Sequence, residues 1–388
     1  MLYDCVIVGG GAVGLSLALA LGQQQYKVLL LEQNAQFSKE TDLDARTIAL
    51  SYASVRIYTE MGVWEKLRPR AIPIERVLVT MKGQYGACRL NGESEGMATL
   101  GYVVGLRELE QALYETLTTQ PFVEILRPAT LIHRHSSPEA WHLKIQHSAA
   151  NLTVNSTLLV AADGVTSALR QEQGISQVKK EYGHYAVMAN VEIPSKHHFT
   201  AYERFLPQGA IALLPWQKDL YTCIWTTGKE EAESLVALSP EDFIQRCQQQ
   251  CGSRIGTIIT VSKRSYFPLQ MQLASQQESA RFLLMGNAAH TLHPIAAQGL
   301  NLSLRDVWQM RTQVIMANEK KDIGCERFLN EYIQSRKKDQ SRIIFATDAI
   351  ARTMSSDMLP GWIRAAGITF LDCLSPLKHK FTQVGMGI

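Results

Sequence analysis

The apolar run Phe282 to Met285 leads into Gly286-Asn287-Ala288-Ala289-His290, then through His293-Pro294 to Gln298-Gly299-Leu300-Asn301. A buried strand that ends in such a turn and is followed by the opening of a helix presents backbone N–H groups and a positive dipole end to an electron-rich group. A second segment of this kind opens the chain. Gly9-Gly10-Gly11-Ala12-Val13-Gly14 matches G-x-G-x-x-G, follows the short apolar strand Asp4 to Val8, and begins the alanine- and leucine-rich stretch Ala12 to Gly22. Its glycines serve a tight turn, unobstructed approach of a pyrophosphate, and close packing of helix on strand. Glu32 ends the next strand, where a carboxylate accepts from both hydroxyls of an unphosphorylated ribose and would repel a 2′-phosphate. Gly9, Gly11, Ala12, Val13, Gly14 and Glu32 are thus the expected dinucleotide contacts, which FAD and NAD satisfy equally. A third segment, Asp163-Gly164-Val165-Thr166-Ser167-Ala168-Leu169-Arg170, lies where a strand meets a turn.

His290 and His293 are spaced i, i+3, but no third ligand lies nearby and Pro294 breaks the helix they would need, so no metal is expected. The 7 cysteines are scattered without a C-x-x-C pair and read as reduced thiols, with Cys247 and Cys251 on one helix face. No second dinucleotide fingerprint and no Ser/His/Asp or paired-carboxylate constellation competes with these motifs.

In this order, the three segments resemble the signature of the FAD-dependent class A aromatic-ring hydroxylases. Asn287, where that family usually has Asp, is similar to the branch that serves ubiquinone biosynthesis; Ala297, where the family commonly has glycine, departs from it. The resemblance implies an α/β fold: a Rossmann-like FAD-binding domain, an inserted mainly antiparallel sheet for substrate, and a helical C-terminus, as in p-hydroxybenzoate hydroxylase. It implies FAD held by the fingerprint residues above together with Arg46, Arg107, Asp163, Gly286, Asn287, Pro294, Gly299, Leu300 and Asn301. His290, Pro294 and Gln298 become the flavin-proximal catalytic candidates, with no general base assigned. NAD(P)H would be a transient reductant and molecular oxygen a co-substrate, the oxygen passing through a flavin C4a-hydroperoxide to an electron-rich phenol. A polyprenyl phenol needs an apolar channel, for which Leu213, Pro215 and Phe267 are candidates beside Ile211 and Leu214. A flavin-dependent prenyl reductase and a non-catalytic FAD-binding scaffold of the same pathway are the rival classes. Other proteins of ubiquinone biosynthesis are the partners this implies, and an oligomer is left open.

The elements that must position these residues follow from pattern. A βαβ unit opens the chain; irregular, Gly- and Pro-rich text from Gly62 to Gly101 reads as hairpin and loop; a helix runs from near Leu106 to before Pro121. Alternating strands at Tyr185 to Glu192, Thr200 to Leu206, Ala210 to Leu214 and Leu220 to Thr226 read as an antiparallel sheet, and a long helix is expected from Glu326 to about Met354. The expected division is discontinuous: 1–75, 100–180 and 280–320 for FAD, 76–99 and 181–279 for substrate, and 321–388 as a C-terminal helical segment.

A chain of 388 residues with 46% hydrophobic and 19% charged residues has ample core for about two domains. A net charge of +3 is too small and dispersed for a nucleic-acid partner. The first strand runs directly into its glycine loop, and no apolar run approaches the roughly 18 to 20 residues of a spanning helix. The expected location is cytoplasmic, with Ile363 to Lys380 a candidate for peripheral contact at the inner face of a membrane.

Overall fold

The computed structural model describes residues 1–35, 46–148, 150–194, 198–317, 322–355 and 360–388. Leu2–Val8, Val28–Leu31, Val123–Leu126, Ala150–Ala161 and Phe282–Leu284 are the parallel core of an eight-stranded sheet. Val28–Leu31 and Phe282–Leu284 are continuously apolar because both faces of a parallel sheet are covered. Helix Ala12–Gly22 is buried almost all round, packing against helices Leu106–Leu117 and Gln298–Met316. Trp141–His147, by contrast, alternates buried and exposed residues where it pairs antiparallel with the outer half of Ala150–Ala161.

Register decides where the loops fall. Val8 pairs with both Leu31 and Ala161, and Ala161 pairs with Leu284. The residues that follow these four strand ends, Gly9, Glu32, Ala162 and Met285, therefore stand in one row at the carboxyl edge of the sheet, the edge at which open α/β sheets bind ligands.

A second, nine-stranded sheet has the order His290–Thr291, Ser265–Ala274, Gln177–Glu192, Leu220–Thr227, Gly209–Pro215, Thr200–Leu206, Arg76–Met81, Ala87–Asn91, with Thr260–Val261 attached to Gln177–Glu192. Strand Gln177–Glu192 begins eight positions before the expected Tyr185 and carries an irregularity between Glu181 and His184. One face packs on helices Lys229–Ala237 and Pro240–Cys251 through Val187, Ile211, Leu213, Cys223, Trp225 and Phe243. Lys229–Ala237 was not anticipated, whereas Pro240–Cys251 carries the helix face expected of Cys247 and Cys251. Cys247 and Cys251 lie there with sulfurs 3.9 Å apart, as their i, i+4 spacing requires. The opposite face turns to the first domain: Thr47 Oγ1 donates to Thr222 Oγ1 at 2.8 Å, and Thr222 donates in turn to Asn190 Oδ1 at 2.8 Å.

Strand parity corrects one expectation. Ile211 and Leu213 point into the helical layer, so Leu213, expected to line the substrate channel, is a core residue on the far side of the sheet. Ala210 and Ala212, on the alternate parity, occupy the face turned to the first domain. The long helix Glu326–Ser355 is followed by Gly361–Cys373 and Ser375–Met386, which fold back over this second sheet and the third motif.

Candidate active site

The three glycine-bearing motifs touch. A Cβ on Gly9, whose φ is +114°, would lie 2.3 Å from the Ala162 carbonyl oxygen, and one on Gly286, φ +63°, would meet Val13 Cγ2 at 3.2 Å. Only glycine allows both the left-handed backbone and these approaches. Gly14 is similarly closed, since a Cβ there would lie 1.9 Å from the Gly9 carbonyl oxygen. At Gly11 the situation reverses: a Cβ there meets nothing nearer than Glu110 Oε1 at 3.8 Å, so it faces open room at the helix N-terminus.

That N-terminus has no side-chain cap and no acidic residue in its first turn, so its N–H donors and the dipole's positive end face the open room at Gly11. Beside it, Glu32 Oε2 accepts the Gly10 N–H at 2.7 Å, while Oε1 accepts the Asn34 N–H and Nδ2, each at 2.8 Å. The carboxylate is thus oriented by protein and retains lone pairs for ribose hydroxyls.

In the second motif, Ser167 Oγ caps the short helix by accepting the Arg170 N–H at 3.1 Å, and Asp163 Oδ2 accepts the Leu169 N–H at 3.4 Å. Asp163 Oδ1 is buried without a hydrogen-bond partner. Arg170, 2% exposed, donates to the Ala288 carbonyl at 2.9 Å and the Val165 carbonyl at 3.0 Å, which rivets the second motif to the third. Its position in the motif was visible in the sequence; its burial was not. Arg46 and Arg107 are both exposed and are brought together because the Arg46 carbonyl accepts the Leu106 N–H at 2.8 Å.

Asn287 is exposed at the strand-end row. Helix Gln298–Met316 begins without a side-chain cap, after Ala297 in left-handed conformation at φ 50°, ψ 36°. The Gly299 and Leu300 N–H groups fall in its first turn and have no intrahelical acceptor by geometry. Asn301 differs from the expectation. Its Oδ1 accepts from Ser51 N–H at 2.9 Å and Ser54 Oγ at 2.7 Å, and its Nδ2 donates to Ala49 and Ala297 carbonyls at 3.0 and 2.7 Å. The side chain is engaged at both ends in tying the helix to strand Thr47–Ser51, so it is a structural clamp.

His290 is also corrected. It is 1% exposed, with Nε2 2.7 Å from Asp306 Oδ2, and Asp306 Oδ1 accepts from Arg336 Nε at 2.6 Å and Gln340 Nε2 at 3.1 Å. It belongs to a buried ionic network behind the motif. Gln298 Nε2 reaches the Gly385 carbonyl at 3.3 Å in the last helix. Pro294, the second of the three catalytic candidates, lines a cavity. That pocket is small, about 30 Å³, and partly open; it lies between His293, Pro294 and Ile295 on one side and Glu203, Ala210, Ala212, Ile224 and Thr226 of the second sheet on the other. Pro215 and Phe267 do not line it.

His293 is buried beside His184 and Tyr182, whose rings lie 5.8 and 5.1 Å from its own, both edge-on. Burial, reinforced by His184, pushes its pKa down to about 4. Glu203 was quoted in the sequence only as part of a resembling segment, and its place at this cavity was missed. The signal was available: a carboxylate shares period-two parity with Ala201 and Phe205 on an interior strand, where a charge is costly. Among the described residues, no group of three or more His, Cys, Asp or Glu side chains is placed to hold a metal ion.

Two uncapped helix N-termini, an oriented ribose-binding carboxylate and an orphaned buried Asp163 oxygen fit FAD. A Rossmann-like sheet carrying them, roofed by an antiparallel sheet, defines a class A FAD-dependent monooxygenase, which uses NAD(P)H and dioxygen. The chain belongs to the FAD-binding-domain family, whose model matches residues 3–345. It is 30% identical over 387 residues to the ubiquinone hydroxylase UbiL of Rhodospirillum rubrum, covering 99% of this chain and 89% of that one. It is 27% identical to the 3-demethoxyubiquinol 3-hydroxylase of Escherichia coli, covering 99% and 98%. The p-nitrophenol 4-monooxygenase PnpA of Pseudomonas putida superposes with a TM-score of 0.80 at 18% identity, over 98% of this chain and 96% of that one, a likeness of fold.

Proposed function

We propose that this chain hydroxylates the aromatic ring of a polyprenyl phenol, of the 2-octaprenyl-6-methoxyphenol type, in ubiquinone biosynthesis. The observation that carries the proposal is the small pocket between the His293-Pro294 turn of the third motif and the face of the second sheet that bears Ala210, Ala212 and Ile224. Ala210, Ala212, Ile224 and Ile295 give it an apolar wall suited to an aromatic ring, and Glu203, Thr226 and His293 supply the few polar groups that fix orientation. The relatives named as ubiquinone hydroxylases support the substrate class.

Bound FAD supplies the activation of oxygen. Gly11 to Val13, Glu32, Asp163, Asn287, Gly299 and Leu300 would hold it through backbone donors and hydroxyl contacts, and Arg46 and Arg107 would meet its phosphates. The close packing at Gly9, Gly14 and Gly286 holds the three motifs together, and the His293-Pro294 turn would help position a ring beside the cofactor. Labelled dioxygen tests the proposal: with FAD, NAD(P)H and a prenylphenol, one labelled oxygen atom enters the product, whereas unlabelled product would assign a reductase. A second reading, hydroxylation at another ring carbon, is favoured by the kinship with a 3-hydroxylase. The position of the new hydroxyl in that product, read by NMR, decides between them.

A further inference from the structure

We propose that Glu203 is the base that takes the phenolic proton of the substrate, with His293 as the neutral donor that holds the phenol oxygen. This rests on the phenol reading of the cavity given above. Glu203 pairs with Ala212 and Val79 at the centre of its strand neighbours, on the face that lines the cavity. Among the described residues its carboxyl has no hydrogen-bond or ion-pair partner. The carboxyl is half-buried and reaches the open space of the pocket among Ala210, Ala212 and Ile224, where it loses part of its hydration without a partner to replace it. Such a group is placed for chemistry.

His293 completes the arrangement. Its Nδ1 accepts the Ile295 N–H at 3.3 Å, which leaves the ring proton on Nε2; that nitrogen is buried without a partner in a side chain 2% exposed. With a pKa near 4 the ring stays neutral at physiological pH, so it donates to an oxygen but does not take up a proton. Glu203 is the opposite case: burial raises its carboxyl from 4.5 to about 7, poised to accept a proton near neutrality. The two environments divide the roles, as shifted pairs of titratable groups do in acid–base sites.

The charged groups on the elements packed around this face are accounted for. Asp348 is bonded to Lys180, Tyr182 and Arg352; Arg204, next to Glu203, has the alternate parity and lines a separate cavity beside Cys251 on the far face. His184 and Tyr182 stand edge-on to His293, and Arg364 is buried in helix Gly361–Cys373. Burial is the cause of the Glu203 shift.

In the step assigned here the phenolic O–H bond breaks, its electron pair stays on oxygen, and the proton moves to a Glu203 carboxylate oxygen. The phenolate pushes charge into the ring carbons that must attack the oxygen delivered by the flavin. Proton acceptance by a positioned base contributes roughly 100-fold or more.

The test uses the FAD-loaded full chain, a short-tailed 2-prenylphenol, and the variants Glu203→Gln and Glu203→Asp. Glu203→Gln should bind FAD and undergo NAD(P)H reduction as the parent does, lose roughly 100-fold in hydroxylated product, and lose the acid limb of the pH profile near 7. The phenolate absorption band of the bound prenylphenol, present in the parent, should disappear, and Glu203→Asp should restore part of it. A melting series checks folding independently. A carboxyl whose pKa is raised on folding costs stability as pH rises from 4.5 through about 7, so the melting advantage of Glu203→Gln over the parent should grow across that window. Unchanged product yield and pH profile in Glu203→Gln would overturn the assignment while leaving the hydroxylase reading intact. Failure of the parent itself to oxygenate any phenol would overturn the functional reading first, before any variant is compared.

Discussion

At the scale of single residues the most informative side chain is one carbon atom long. Ala297 adopts φ 50°, ψ 36° immediately before the helix that opens toward the flavin row. For a residue with a Cβ this conformation costs about 1–2 kcal/mol, whereas glycine accepts it at an unfolded-state entropy cost of about 0.5–1 kcal/mol. Ala297→Gly should therefore stabilise the protein slightly, by up to about 1 kcal/mol, as read by urea unfolding. It should change the rate of flavin reduction more than the affinity for FAD, because the Gly299 and Leu300 donors stay where they are while the turn before them loosens. A larger change in FAD affinity would place Ala297 in cofactor binding instead. This residue was legible from the sequence because it stands where a glycine is expected. Leu213 was not: alternation announces that a strand has two faces without saying which one meets helices and which meets the cavity. Asn301 and His290 were misread for a related reason. Their partners, Ser51 and Ala49 for one and Asp306 for the other, lie 250, 252 and 16 positions away, and a polar residue in a motif looks the same whether it faces ligand or protein.

At the scale of elements, the third motif is held by what lies behind it. Asp306, on helix Gln298–Met316, bridges His290 of the edge strand to Arg336 of helix Glu326–Ser355, and Asp339 on the latter helix binds both Arg336 Nη2 at 2.6 Å and Arg305 Nε at 2.9 Å. Burial pushes the Asp306 carboxyl up, but hydrogen bonds and charge from His290 and Arg336 outweigh it and hold the pKa below its ordinary value. The stability this pairing supplies is present above the ordinary carboxylate range and is lost as pH falls through the depressed value. Removing one member leaves the others buried without compensation. Asp306→Ala should cost about 3–5 kcal/mol in equilibrium unfolding and weaken FAD retention, since the strand and helix it joins flank the flavin row. A loss below about 1 kcal/mol would show that solvent reaches Arg336 and His290 in its place. The glycine fingerprint, the strand before it and Glu32 could be placed from sequence because their order and spacing are local. The five-residue ionic network could not, because it is assembled from three elements that only the fold brings together.

At the scale of the whole molecule, the proposed polyprenyl phenol would have to pass from lipid or a carrier to the pocket beneath the second sheet. No helix among the described residues is long and apolar enough to cross a membrane. Helices Gly361–Cys373 and Ser375–Met386 instead expose Trp362, Phe370, Leu377 and Phe381, with Leu374 exposed at the break between them and Lys380 alongside, an apolar surface that we propose rests on a lipid interface. The inner face of the same helix packs Ala365 and Ile368 in one cluster with Ile295, which lines the cavity, so the apolar surface and the reacting site share a wall. Truncation after Pro360 would be a poor test of this idea, because the Gln298 amide bonds to Gly385 and the last residues pack against the third motif. Point changes on the exposed surface avoid that difficulty. The double variant Trp362→Ser, Phe370→Ser should keep its FAD and its turnover of a short-tailed phenol dissolved in water. Its co-sedimentation with vesicles of mixed neutral and anionic lipid should fall several-fold, and its turnover of a long-tailed phenol embedded in those vesicles should fall with it. Equal vesicle binding by variant and parent would mean that this surface is covered by another protein, or serves no interface at all.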